Sequence, residues 1–348
     1  MISLDDERAL RAADPSGLLD MFLSLPGQIF PAFEVGAALT LDRSEPASVA
    51  LCGMGGSGAA ADVVATLIEA HAAVPIRTIK GHVLPAHVGK DTLVVCLSYS
   101  GGTVEAMSCY REARSRGSVV AGIASGGELA AVAGADGALV ELPGDASMPR
   151  AALGSLVGGL LGVIQAAGVD RIDRDHLTSA IEELQGLAAG LGPAIPAARN
   201  EAKQIAVWLG DRVPIFWGSQ GPAEVAASRW KAAFNENAKI PAFSSALPEM
   251  THHEVVGWAE DRGSRFAAMA LRHRDEHPDT ARLLAAVTEV VAASGLEVRT
   301  ASARGDTRLG RLLALVVLGD AASTYHALMR GIDPAPIEAI ARIKERMR

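Results

Sequence analysis

Two short stretches combine glycine with hydroxyl side chains: Leu51-Cys-Gly-Met-Gly-Gly-Ser-Gly58 and Leu97-Ser-Tyr-Ser-Gly-Gly-Thr103. Each follows a short apolar run, Ser48 to Cys52 in the first case and Thr92 to Leu97 in the second, and each leads into a helix-competent segment. A strand-loop-helix turn of this composition offers backbone N–H groups to an anion. Glycine lets the backbone come close, the helix start carries partial positive charge, and the hydroxyls add donors. Neither loop holds a Lys, and Gly53-x-Gly55-Gly56-Ser57-Gly58 is not followed by Lys-Ser/Thr, which disfavours a Walker-type nucleotide loop. One such loop alone is equally a structural strand-to-helix turn. Two after successive strands point to a phosphate held by hydroxyls and amides.

A second set of reactive side chains lies in the other half of the chain: Arg229-Trp-Lys231, Asn235-Glu-Asn-Ala-Lys239 and Pro248-Glu-Met-Thr-His-His-Glu254. On a helix over 223–237, Arg229 and Glu236 share a face. Spacing alone also describes a solvated helix end with ordinary charge pairs. Arg150, in Met148-Pro-Arg-Ala-Ala-Leu-Gly154, stands where a loop becomes a helix. A cation is electrostatically awkward there and hints at an anionic ligand. Lys344 lies with Arg342, Arg346 and Arg348 in a terminal helix, where a Lys ordinarily complements the dipole.

The elements that must position these groups alternate. Residues 5–40 read as two helices broken near Pro26 and Pro31, packed across the first domain. Strands are expected at 48–52, 75–79, 92–97, 118–123 and 137–141, with helices near 58–71, 103–116 and 127–133 between them. Pro143 to Pro149 is a loop by composition, 150–167 a helix, 171–191 an amphipathic connecting helix, and Pro193 and Pro196 mark a boundary. The theme then returns: helix 197–208, strand 213–217, loop Gly218 to Pro222, helix 223–237, strand 265–271, helix 278–293, strand 296–300, helix 308–329 and a short terminal helix begun by Pro336. Apolar strands alternating with helices imply α/β domains, each a mainly parallel sheet flanked by helices.

Composition narrows the function. A chain of 348 residues allows two or three domains, and 49% hydrophobic content argues against disorder. The formal net charge of −8 argues against nucleic-acid and anionic-membrane partners but not against a phosphorylated small molecule. Cys52, Cys96 and Cys109 are expected as reduced core thiols, and no Cys/His spacing suggests a metal. Met1 to Asp20 lacks the pattern of a signal peptide, and the apolar run Leu153 to Val169 is broken by Gly154, Gly158, Gly159, Gly162 and Gly168, so it reads as a buried helix. A cytoplasmic protein is expected.

Together these motifs resemble the sugar-isomerase (SIS) family, and within it the bifunctional phosphoglucose/phosphomannose isomerases, over about residues 45–348. Those enzymes carry loops like Gly53-Met-Gly-Gly-Ser57 and Ser98-Tyr-Ser-Gly-x-Thr103, then Pro-Arg-Ala-Ala-Leu-Gly, Arg-Trp-Lys, Glu-Asn-Ala-Lys and Pro-Glu-x-x-His-Asn-Glu, the last departing here only in His253. The resemblance implies N-terminal helices over 1–44, SIS domains over 45–170 and 196–348, and a connecting helix over 171–195. It implies a cofactor-independent aldose-ketose isomerase acting on glucose 6-phosphate, with mannose 6-phosphate a further substrate. Glu236 would be the base, His252 and Lys344 would open the sugar ring, and Arg150 would steady the enediolate. Ser57, Ser98, Ser100 and Thr103 would hold phosphate, with Gly55 and Gly56 close to substrate. Family members often supply the His from the neighbouring subunit, which implies a homodimer with shared sites. Three departures, Gly102 for Asn, His82 for Tyr and Ala335 for Thr, suit an alternative: a sugar-phosphate sensor that kept the fold and lost turnover. At Gly102 the loop is expected to keep a left-handed backbone.

Overall fold

The computed structural model describes residues 1–42, 45–144, 148–260 and 265–346. The chain forms two compact units, one of Ser24–Gln185 with Thr307–Leu309, the other of Met1–Leu23, Gly186–Asp306 and Gly310–Arg348.

The chain opens with α1 (Glu7–Ala13), α2 (Leu18–Leu23) and α3 (Leu25–Ala37). Three helices thus stand where two were expected, and α1 and α2 belong to the unit built on the second sheet. Pro26 sits in the first turn of α3, where its missing N–H costs nothing, and Pro31 lies inside the helix without ending it. Packing overrides the break. The helix lies against α7 (described below) on a row of glycines: a Cβ at Gly158 would stand 2.1 Å from the Ile29 carbonyl oxygen and one at Gly162 2.4 Å from that of Phe33.

The first sheet and its helices run β1 (Ser48–Gly53), α4 (Gly55–Ile68), β2 (Ile76–Ile79), β3 (Thr92–Leu97), α5 (Val104–Ser115), β4 (Val119–Ala124), α6 (Gly127–Ala135) and β5 (Leu139–Glu141). A 3-10 turn at Pro149–Ala151 then precedes α7 (Leu153–Ala166), and α8 (Arg174–Gly190) follows. Residues 145–147 of the expected 143–149 loop lie outside the described residues. The five strands are parallel in the order β2-β1-β3-β4-β5. β3 and β4 are buried along their whole length, as strands covered on both faces must be. On one face α5 and α6 bring Met107, Tyr110 and Leu129 onto Ala50, Val94 and the thiols. All three cysteines are buried and free. The hydrogen bond with Cys52, and then burial, push the Cys109 thiol well above its ordinary range, so it is held protonated and unreactive.

The other unit contains α9 (Glu201–Leu209), β6 (Val213–Ser219), α10 (Pro222–Glu236), β7 (Phe243–Leu247), a 3-10 turn at Glu249–His252, α11 (Glu254–Glu260), β8 (Phe266–Arg272), α12 (Pro278–Ala292), β9 (Glu297–Ser302), α13 (Arg308–Met329) and α14 (Glu338–Arg346). Its four strands are parallel in the order β7-β6-β8-β9. The sequence pattern misses β7, because Phe-Ser-Ser-Ala-Leu has neither alternation nor a buried run and Phe243 is exposed. Only pairing with β6 makes it a strand. The Phe216, Trp230 and Phe234 rings pack on one face, and Trp230 Nε1 donates to Leu315 O of α13 at 2.7 Å. The opposite face carries Ile215 and Trp217 against α12. Near the expected boundary, the buried Lys203 ammonium donates to the carbonyls of Pro193 (2.8 Å) and Ile195 (2.7 Å).

Among the described residues α13 alone is long and apolar enough to cross a membrane, and 94% of its apolar window is buried inside the protein. It is the core helix of its unit and carries the buried Asp320 and His326. The His326 imidazole shares a 2.8 Å hydrogen bond with Gly210 O, while its Nδ1 is buried without a partner. Burial lowers its pKa below the ordinary 6.5 despite that hydrogen bond. Well above pH 6.5 the ring is neutral in both states and stability is unaffected. As the pH falls below that value, the unfolded chain takes up a proton that the folded ring resists, and stability is lost. The expected result is a fall in Tm between pH 7 and pH 5.5 that is smaller in His326→Gln, which cannot titrate; equal falls would exclude His326 as the cause.

Candidate active site

The first loop begins where β1 ends. Met54 is extended and caps α4, Gly55 has φ +55°, and the helix starts within the glycine run rather than after it. Ser57 therefore stands in the first turn of α4, buried, beside the N–H groups that have no partner within the helix. Gly56 lies against the Pro149–Arg150 backbone: a Cβ there would be 3.4 Å from Arg150 Cα and from Pro149 O. The fold thus brings Arg150 to the first loop across almost a hundred residues. Arg150 is buried in the 3-10 turn, not in the first turn of the expected helix.

The second loop leaves β3 at Ser98, whose side chain is buried. Ser98 Oγ lies 2.8 Å from Thr103 Oγ1 and accepts from Thr103 N at 3.4 Å, which ties the loop across its base where Thr103 caps α5. Ser100 is exposed at the turn between them. Tyr99 N donates to Ser57 Oγ at 3.4 Å and joins the two loops. The N-termini of α4 and α5 thus lie together at the carboxyl ends of β1 and β3, where the strand order reverses. That is the usual ligand position in an open parallel sheet.

Supporting groups escaped the sequence reading. Tyr99 OH donates to Pro143 O at 2.8 Å, and Ser125 donates to Tyr99 O through Oγ (2.7 Å) and N (2.9 Å). Their signal was present in Ser-Tyr-Ser and in Ser125-Gly126-Gly127, but nothing local says that these segments meet. The left-handed residue is Gly101 (φ +66°), not Gly102 as expected, and a Cβ at Gly101 would fall 1.7 Å from Gly126 O. Position 102 is open, with nothing within 4 Å of an added Cβ, so an Asn side chain would fit there. Gly101→Ala is therefore expected to destabilise the protein by about 1–3 kcal/mol, readable by urea unfolding. Gly102→Asn should leave stability unchanged. Although neither loop contains a Lys, Lys80 arrives after β2, pairs with Asp62 of α4 and places its Cε 3.3 Å from a Cβ built at Gly58. His82 lies 3.9 Å from Glu105 in the first turn of α5.

In the other unit the three motifs divide between framework and exposed chemistry. Arg229 is 6% exposed and bonds Asp320 through Nε and Nη2, both at 2.9 Å, so the solvated reading of this helix face fails at 229. Burial lowers the guanidinium pKa, but the charges of Asp320 and Glu236 outweigh it and the net shift is upward. Arg229 and Glu236 thus share a face and an electrostatic interaction, as their spacing predicts. Glu236 is the last residue of α10 and is half-buried. Asn237, fully buried, donates to Ser323 Oγ at 3.0 Å. Glu254 accepts from Ser245 Oγ and from Trp258 Nε1 (2.7 Å), a structural use of the final Glu of its motif. His252 is exposed in the 3-10 turn, His253 lies 3.6 Å from Glu249, and Lys344 is exposed on α14.

Two parallel sheets flanked by helices, with hydroxyl-bearing loops at the helix starts of the first, define a SIS fold. A glucose-6-phosphate isomerase like protein from Thermus thermophilus shares it, with a TM-score of 0.65, 21% identity and 99% of each chain covered. Residues 198–347 match the bacterial phospho-glucose isomerase C-terminal SIS domain. A bifunctional phosphoglucose/phosphomannose isomerase of Aquifex aeolicus is 31% identical over 304 residues, 86% of this chain and 90% of the relative. One from Caldicellulosiruptor bescii is 29% identical over 335 residues, covering 95% and 98%. The chain belongs to the bifunctional phosphoglucose/phosphomannose isomerase family.

Proposed function

We propose that the protein is a cytoplasmic isomerase interconverting glucose 6-phosphate, and mannose 6-phosphate, with fructose 6-phosphate. The observation that carries the phosphate part is the pairing of the α4 and α5 N-termini through Ser57 and Tyr99. Ser57, Ser98, Ser100 and Thr103 supply hydroxyl donors there, Gly55 leaves open space, and Gly56 admits the Pro149–Arg150 backbone that carries the Arg150 cation to this loop.

The chemistry needs little more. Glu236 takes the proton from C2 of the open-chain aldose and returns it to C1, while a hydroxyl proton moves from O2 to O1 through a cis-enediolate. Substrate and product have the same oxidation state overall, so the reaction is redox-neutral and calls for no cofactor. Arg150 offsets the enediolate charge. His252 and Lys344 pass protons between the C1 hydroxyl and the ring oxygen. The exposure of His252 suits a side chain offered to a second copy of the chain in a homodimer.

The test is direct. Purified protein given fructose 6-phosphate should form glucose 6-phosphate, read through a coupled dehydrogenase, and a second assay should detect mannose 6-phosphate. Calorimetric binding of fructose 6-phosphate without turnover would overturn the isomerase and leave a sugar-phosphate sensor. A monomer in light scattering at full activity would overturn the shared site.

A further inference from the structure

The Lys that closes Asn235-Glu-Asn-Ala-Lys239 has a use that its sequence position does not show. Lys239 stands three residues beyond Glu236, with φ +57°, where the chain leaves α10. Its ammonium donates to the carbonyls of Glu236, Pro334 (2.9 Å) and Pro336. An ammonium has three donors, so these acceptors can engage each of them. The same turn is held from α13 by Asn237 on Ser323, and Arg330 Nη1 donates to Ala238 O at 3.3 Å. Asp333 Oδ1 accepts from Ala335 N at 2.9 Å and curls the tail segment between the two prolines that Lys239 holds.

The helix beyond this segment makes the tie consequential. α14 starts at Glu338, two residues after Pro336, and has no buried residue. A helix of nine residues is marginal by itself, and packing of an apolar face is the usual remedy. Here burial supplies none, so the position of α14 is set by how its N-terminal lead is fastened. That lead is fastened to the end of α10, the helix that carries Glu236.

We propose that Lys239 is a positioning residue that holds the C-terminal helix, and with it Lys344, in register with Glu236. It moves no proton of the substrate. Bonding the last carbonyl of α10 and two tail carbonyls at once makes the spacing between the two elements a property of one side chain. The catalytic half of this inference rests on the isomerase reading; the structural half does not.

The experiment compares Lys239→Met, Lys344→Ala and the double variant in the full chain. In coupled assays Lys239→Met should lower kcat about tenfold or more, with KM changed less than threefold, because a positioning error acts on the reaction and not on the phosphate. The double variant should be no slower than Lys344→Ala. Multiplicative losses, or full activity in Lys239→Met, would overturn the proposal. Hydrogen exchange separates the two readings: amides of 334–346 should exchange faster in Lys239→Met, with α10 protected as before. Unchanged exchange would overturn the tie whatever the enzyme does, whereas a wild-type protein without turnover but with this exchange pattern would overturn only the isomerase. If Lys239→Met does not fold, Lys239→Arg is the second variant, expected to keep slow exchange and at least part of kcat.

Discussion

Glu236→Gln lowers kcat for fructose 6-phosphate by a factor of roughly 10² to 10⁴, the usual worth of a positioned general base, while KM changes little. The substitution keeps size and hydrogen-bonding reach and removes the charge and with it the ability to accept a proton. Glu236 ends α10 and is half-buried, and Asp320 still pairs the Arg229 guanidinium on which its charge acts, so Tm should fall little. The phosphate-binding groups proposed above, Ser57, Ser98 and Thr103, belong to the other unit, and calorimetry should find phosphate binding intact. Loss of the exchange of C2 deuterium with solvent would locate the defect in proton transfer. Retention of more than a tenth of wild-type kcat would remove Glu236 from the mechanism.

Arg229→Met destabilises the protein by about 3–5 kcal/mol, the cost of breaking a buried ion pair by removing one partner. Asp320 is 1% exposed, and both its carboxylate oxygens accept from Arg229 at 2.9 Å. Without the guanidinium that carboxylate either stays charged in the core or takes up a proton, and both are costly. Urea unfolding measures the loss. Adding Asp320→Asn should recover part of it, since the amide removes the uncompensated charge, and an Arg229→Met variant within 1 kcal/mol of wild type would refute the reasoning. The pair is coupled to Glu236 on the same helix face, because the Glu236 charge acts on the same guanidinium. Arg229 thus belongs to the frame that holds α10 and not to the solvated surface that its spacing also allowed.

Much of the fold could be read locally because local physics determines it. β3 and β4 are uninterrupted apolar runs bounded by polar residues, and burial on both faces requires that pattern. The helix expected over 308–329 forms with those bounds, and it is the core helix of its unit. β7 was not legible, since an edge strand needs little hydrophobicity and takes its conformation from its neighbour β6. Pro31 misled for the opposite reason: the intrinsic penalty of a proline was real, and close packing of α3 on the α7 glycines exceeded it.

By itself the sequence determined that two glycine-hydroxyl loops follow strands and open helices, and that an acid, a His and several cations cluster later in the chain. Those features depend on residue type and on spacing within a few turns, which the covalent chain sets. Tertiary structure alone decided that Arg150 lies against Gly56, that Lys80 reaches α4, that Arg229 belongs to Asp320, and that Lys239 fastens the tail at Pro334 and Pro336. Each of these joins segments separated by many residues of chain. Such contacts exist only once sheets and core helices have packed, so no local pattern encodes them.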